Sequence, residues 1–559
     1  MTKSLSMRLR CQHVVASLAL TALAASTFAY AGDFSRGQDF HFWPGNLVVS
    51  RSVYDNKASN VQVGAILPVN CAATTGGCGA STGAPYDGTY PYVWNDVLYD
   101  ANFGITSRIY LDQITPNGWL LNSLEVPNSL LPAAMAGELV TSFSSKSELA
   151  LHLSLDRKYL TFMGYVASVN AIDVSNSNTP GVVDPTNPVG ESFYRAVAKV
   201  DAHGHFHFTE TNAYSGNNGR AAILNDTDGL DIVYTAGNAG NGGNPQPEGV
   251  VLGAGAQYIQ ALDTLEVKQD PGLPTPVGSF SVTELGDKAD KIGKDDNFRG
   301  LTLFNNVLYY SKGSGSNGVN TVYFLDTTGT ACPKGVGLPS SSASLPTTPL
   351  IYNPATVSAD GLPGNMCILA GFPTALAKTA TTVAYPFGLW FADANTLYLA
   401  DEGDGYVGGT DLYTHAAAQT TAGLQKWVFS AKTGTWSLAY TLQNGLHIGT
   451  PYTVAGYPTG TNAATALPWS PATDGLRNIT GRVNRDGTVT IWAITSTVSG
   501  GGDPGADPNN LVAITDRLSN TNPAYAAKET FVTVRRSGFA EVLRGISFTP
   551  IGDDDHRSW

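Results

Sequence analysis

Four arginines open short runs of nearly the same pattern, and guanidiniums held in one register can gather on one anion. The runs are Arg220-Ala221-Ala222-Ile223-Leu224, Arg299-Gly300-Leu301-Thr302-Leu303, Arg477-Asn478-Ile479-Thr480-Gly481 and Arg544-Gly545-Ile546-Ser547-Phe548. A fifth, Phe387-Gly388-Leu389-Trp390-Phe391, keeps the pattern without its arginine. Arginine offers a planar fork of donors that suits carboxylate, phosphate or sulfate. Arg220, Arg299, Arg477 and Arg544 are therefore candidate binding residues for a small anionic or glycan-like ligand. The competing reading gives each arginine to a nearby acid (Asp226, Asp295, Asp296, Asp474 or Glu541) as a link between repeats.

Other residues raise weaker chemistry. Asp401-Glu402-Gly403-Asp404-Gly405 and the stretch 503–510 set carboxylates among flexible residues, which suits Ca²⁺. Asp401, Glu402 and Asp404 are thus candidate calcium ligands, although neither stretch has EF-hand spacing and solvated turns explain both. His205 and His207 share a strand face and could chelate zinc or copper, but no third ligand is visible, and an exposed outer strand accounts for them. Trp43, Tyr86, Tyr90, Tyr92, Trp94, Tyr452, Tyr457 and Trp469 crowd the long loops, where they could stack on sugars or pack the loops together. Walker and His-Glu-x-x-His motifs are absent, and no catalytic residue is assigned. Two function classes remain. One is a binding protein for a small anionic or carbohydrate ligand. The other is a hydrolase or lyase, metal-assisted, on the same face, by analogy with secreted propellers.

The arginines need elements that put them in register. Each cassette begins a β-rich run, followed by a tight turn and a second run, and the units recur at roughly 70–90 residues. From Arg299, one strand reaches Phe304, Asn305-Asn306 turns, and a second strand starts at Val307. Counting strands gives a six-bladed β-propeller with four strands per blade. Its last strand, 543–549, completes the blade of the first, 47–53. Such closure leaves no exposed edge. The tight turns fall on one face. The long segments 55–107, 127–146, 168–192, 330–385, 402–423 and 444–474 fall on the other, beside the arginines, which makes that the expected working face.

From Leu47 onward the chain resembles an uncharacterised family of exported bacterial β-propeller proteins. The resemblance rests on Ile109 to Gly118, Asn212 to Asn218, Trp390-Phe391-Ala392-Asp393 with Leu397 to Asp401, and Leu543 to Phe548. It implies fold and export, and carries no activity or site residues.

Lys3, Arg8 and Arg10 precede an apolar run from Val14 to Ala25, and Ala29-Tyr30-Ala31 supplies a cleavage site. That pattern predicts a signal peptide, 1–31, cleaved after Ala31, with the protein periplasmic or secreted. Residues 32–549 are then one propeller domain, expected to be monomeric, and 550–559 a disordered tail. A net charge of −13 argues against nucleic acid as a partner, and no second segment is apolar enough for a membrane span. Export favours pairing of the remaining cysteines, and proximity favours Cys71–Cys78 and Cys332–Cys367, each within its own loop.

Overall fold

The computed structural model describes residues 40–552, apart from 56, 68–83, 86–103, 131–137, 143–148, 184–189, 239–254, 263, 266–279, 285–296, 314–317, 333, 348–363, 463–465 and 502–503. The segment 1–31, predicted as a signal peptide, and Cys71 and Cys78 lie outside the described residues.

Hairpins arise where the sequence places turn residues between β-branched runs. Gly300–Phe304 and Val307–Lys312 pair through Asn305 and Asn306, whose φ angles are 49° and 60°. That is a type I′ turn, whose twist matches the strands it joins, and asparagine tolerates the left-handed region. The same logic builds two complete four-stranded antiparallel meanders. One runs Pro386–Asp393, Thr396–Asp401, Gly423–Ser430 and Thr435–Leu442. The other runs Ala472–Val483, Thr488–Val498, Asn510–Arg517 and Val532–Arg536.

The rest of the chain forms two nine-stranded sheets and a two-stranded ribbon, so the fold is all-β with a propeller-like arrangement. Here the hydrogen bonding departs from separate four-stranded units. Leu139–Ser142 lies within the segment read as the loop 127–146, yet it pairs with both Thr106–Ile114 and Leu160–Val166 and splices two meanders. Gly364–Leu369 lies within the expected loop 330–385. It pairs antiparallel with Thr321–Leu325 and parallel with Phe280–Glu284, splicing two more. That strand carries Cys367, which is bonded to Cys332 at a Cα separation of 5.9 Å. The disulfide therefore ties a strand to the turn after its neighbour, where two loop positions were expected.

Glu541–Phe548 pairs antiparallel with Leu47–Val53, from Leu47 opposite Phe548 to Val53 opposite Glu541. Asp112 anchors this region. Arg51 donates Nε to its Oδ2 at 2.8 Å and Nη2 to its Oδ1 at 3.1 Å, while Arg535, from the neighbouring meander, donates at 2.8 Å. Arg51 also reaches Glu541 at 2.6 Å. Burial alone would raise the Asp112 carboxyl, but Arg51 and Arg535 hold it below its ordinary value. Beyond this seam, Ile551 is buried and its N–H donates to Arg157 O, so the expected disordered tail is packed at least to that residue.

Apolar clusters join successive sheets. Tyr398, Leu424, Leu476, Ile491 and Val512 pack the two complete meanders together, and Leu47, Trp492, Leu511, Leu543 and Ile546 pack the next pair. Close approach explains the glycine at the second position of three cassettes. A Cβ on Gly300 would lie 2.1 Å from Phe387 O, on Gly388 2.6 Å from Arg477 O, and on Gly545 2.1 Å from Leu149 O. At the same position Asn478 donates its amide to Arg544 O at 2.8 Å. Among the described residues, no helix is long and apolar enough to cross a membrane.

Candidate functional site

Strand starts were expected for the cassette arginines, but only Arg299 stands at one, just ahead of Gly300–Phe304; Arg220 is third in Asn218–Asn225, Arg544 fourth in Glu541–Phe548 and Arg477 sixth in Ala472–Val483. All four are largely withdrawn from water. Buried guanidiniums are stable only where acceptors meet them. Arg220 donates to Asn297 Oδ1 and, at 2.8 Å, to Phe298 O. Arg477 donates to Pro504 O at 2.9 Å, and Arg544 donates to Gly505 O at 3.4 Å and Ser52 Oγ at 3.4 Å. Glu402 lies between two of them. Its carboxylate is 3.0 Å from Arg477 Nε and 3.7 Å from Arg299 Nε, ionic contacts without the alignment of a directed hydrogen bond.

Phe387 explains the cassette that has no arginine. The guanidinium carbons of Arg299 and Arg477 lie 5.8 and 5.3 Å from the centre of its ring. The ring face attracts cations, so phenylalanine at the arginine position draws in the two flanking arginines. Arg299, Arg477 and Arg544 are thus linked through Phe387, Glu402 and the Pro504-Gly505 turn. Arg220 joins them less directly, through the chain from Asn297 to Arg299. Of the acids first paired with these arginines, Asp226 bonds instead to the Asp156 N–H and Glu541 to Arg51, while Asp295 and Asp296 lie outside the described residues.

Two more carboxyls border the cluster. Burial pushes Asp401 up to about 6, against hydrogen bonds from the N–H groups of Tyr385 and Gly403. Burial, with the charges of Asp404 and Glu402, pushes Asp474 up to about 7, although Gly405 N–H and Gln419 donate to it. Near neutrality, then, this region can change its charge.

Asp401, Glu402 and Asp404 do not gather as a calcium cage. Asp401 accepts backbone N–H groups, Glu402 faces arginines, and Asp404 is 2.7 Å from His415 Nε2. Each carboxylate already has a partner of its own, and no group of three or more His, Cys, Asp or Glu suited to a metal forms among the described residues. His205 pairs with Asp201 at 3.0 Å and is exposed just ahead of the strand Phe206–Thr211. Of the aromatic loop residues, Tyr457 and Trp469 are buried with Tyr54, Val61 and Ile105, which is packing of loop on loop. Tyr86, Tyr90, Tyr92 and Trp94 lie outside the described residues. The roles of Phe387, Glu402 and Asp474 were not foreseen, and the missing arginine of the fifth cassette was the signal that pointed to the first.

No protein-family model matches this chain, and no curated protein matches it. Among solved structures it is similar to Drosophila Semaphorin 1a, extracellular domains 1–2, at 9% identity. That match covers 77% of this chain and 86% of the other with a TM-score of 0.26, a likeness too slight to carry an argument.

Proposed function

We propose that the chain is an exported six-bladed propeller that binds a small anionic ligand at the mouth formed by Arg220, Arg299, Arg477 and Arg544. In this reading the two spliced sheets are four blades, the two separate meanders are two more, and Glu541–Phe548 closes the ring. Support comes from the order of inner-strand contacts: Leu149 with Gly545, Ala150 with Arg220, Gly300 with Phe387, Gly388 with Arg477, and Asn478 with Arg544. The signal-peptide pattern and the Cys332–Cys367 bond support export.

The observation that carries the binding reading is the placement of Glu402. Its carboxylate contacts both Arg299 and Arg477, whose guanidiniums lie over Phe387, and this supports the reading that the same pair can take an anionic group. A ligand carboxylate, phosphate or sulfate would use the same guanidiniums together with Arg544. Calorimetry on the exported protein with citrate, phosphate, sulfate and glucuronate, against neutral glucose, tests this. Binding of at least one anion should weaken roughly 10- to 100-fold in Arg477→Met, the loss expected for a charge-assisted hydrogen bond. Equal affinity of wild type and variant for every anion would overturn the reading.

A second reading, a hydrolase or lyase at the same mouth, is favoured by Asp474. A carboxyl raised to about 7 by burial and by the charges of Asp404 and Glu402 is poised for proton transfer near neutral pH. On that reading, Asp474→Asn keeps anion binding and loses turnover of an acidic substrate.

A further inference from the structure

The inner strands touch at their glycines and part beyond them, at the hairpin-turn end, which is opposite the arginine mouth. There they surround a cavity of about 1210 Å³. Its wall mixes apolar with polar groups: Leu303, Leu389, Trp390, Ile479 and Ile546 come from four inner strands and Leu151 from just ahead of a fifth, beside Thr302, Thr480 and Ser547. Its rim is basic, formed by Arg157, Arg482 and Arg485. None of the lining residues is acidic, in a chain whose net charge is −13.

The nearest acids in sequence are engaged elsewhere. Asp486 accepts from the N–H and hydroxyl of Thr488, and Asp156 accepts from Ser154 Oγ. Arg482 lies over the Trp492 ring at 5.7 Å, which steadies its position at the rim. The wall also carries His152, whose Nε2 lies 2.8 Å from Leu301 O. A carbonyl can only accept, so Nε2 holds the proton and Nδ1 is left as an acceptor. That Nδ1 is buried and has no hydrogen-bond partner among the described residues. Burial pushes the imidazole down to about 4, which keeps it neutral and keeps that lone pair available.

We propose that this cavity binds a small organic anion with an apolar or aromatic body: the body fills the inner-strand walls, and the charged head meets Arg482 and Arg485. A donor group on the body, such as a hydroxyl, would satisfy His152 Nδ1. The size is ample for a ligand of this class, since such pockets usually span about 300–1,000 Å³. The site is separate from the arginine mouth and stands or falls apart from it.

The test uses the full exported chain and two dyes, 8-anilinonaphthalene-1-sulfonate and its neutral analogue N-phenyl-1-naphthylamine, followed by fluorescence. The sulfonate should bind one per chain and more tightly than the neutral dye. Its affinity should fall at least tenfold in Arg482→Glu/Arg485→Glu and decline as NaCl rises from about 50 to 500 mM. Both substituted side chains are exposed, and an unchanged melting temperature checks that the variant is folded. The salt titration of the wild type gives the same answer without any substitution. Equal binding of both dyes, or a sulfonate affinity indifferent to salt and to the charge reversal, overturns the proposal. So does a loss seen in Arg477→Met and not in Arg482→Glu/Arg485→Glu, because the dye would then sit at the opposite mouth.

Discussion

Asp112 and Glu402 each stand between two arginines, and their surroundings separate them. Asp112 has no exposed side-chain surface and takes aligned bonds of 2.8–3.1 Å from Arg51 and Arg535. Glu402 keeps 10% of its side chain exposed, with contacts of 3.0 and 3.7 Å from Arg477 and Arg299. Around Asp112 the charges are matched and the carboxyl is held ionised. Around Glu402, which faces Arg299 and Arg477, stand two further carboxyls whose ionised forms are disfavoured. Asp112 is a rivet, a fully satisfied carboxylate; Glu402 is held more loosely, which on the proposed reading leaves room for an incoming anion.

The largest expected effect tests the seam itself. Removing residues 542–559 deletes the partner of Leu47–Val53 and should abolish the cooperative unfolding transition seen by calorimetry. An unchanged melt would sink the six-bladed reading. Next, Asp112→Asn should destabilise by about 3 kcal/mol in urea titrations, because it removes the buried carboxylate that two partly buried guanidiniums share, leaving Glu541 as the charged partner of Arg51. Glu402→Gln should lose no more than about 1 kcal/mol, its contacts being looser and partly solvated. Equal losses at the two positions would erase the distinction between rivet and mouth.

Seam and mouth should also answer pH with opposite signs. Asp112 is depressed on folding, so its stabilisation is present above its unfolded value of 3.8 and lost as pH falls through the lower folded value. Asp401 and Asp474 are raised, so the stability linked to them is present at low pH and lost as pH rises through about 6 and about 7. Between pH 8 and 5.5, anion affinity at the mouth should therefore rise several-fold. Asp474→Asn should flatten the upper part of that rise, as read by calorimetry at fixed ionic strength. A wild-type profile flat across this range would remove the titrating mouth. The smallest effect concerns Phe387→Leu, which keeps the apolar volume and removes the ring beneath two arginines. It should destabilise by roughly 0.5–1 kcal/mol, measured by chemical denaturation, with anion affinity changed less than in Arg477→Met.

Local chemistry made much of the fold legible. Asn305-Asn306 marks a hairpin in sequence, and the cassette marks the inner strands because glycine, alanine or asparagine is needed where backbones approach. The short strand Leu139–Ser142 was hidden because four residues carry too little alternation to register. Gly364–Leu369 was hidden because a parallel pairing has no hairpin turn to announce it. At the site, the register of the arginines could be read. The raised carboxyls could not, since desolvation depends on what packs above Asp401 and Asp474 in space. The cavity at the hairpin-turn end escaped for a related reason. Loop length pointed to one face, whereas the widening of the inner strands on the other comes from side-chain size.

The pairing of Glu541–Phe548 with Leu47–Val53 also sets a schedule. Partners such as Arg51 and Glu541 are 490 residues apart. Chain statistics make that separation cheap, only about 2 kcal/mol beyond closing a 50-residue segment. In time it is dear, because contacts so distant form late and slow the whole reaction. Synthesis delivers Leu47–Val53 long before its partner exists, and until then both flanking edges can pair with a neighbouring chain. Completion is timed by the arrival of eight residues rather than by the strength of their contacts.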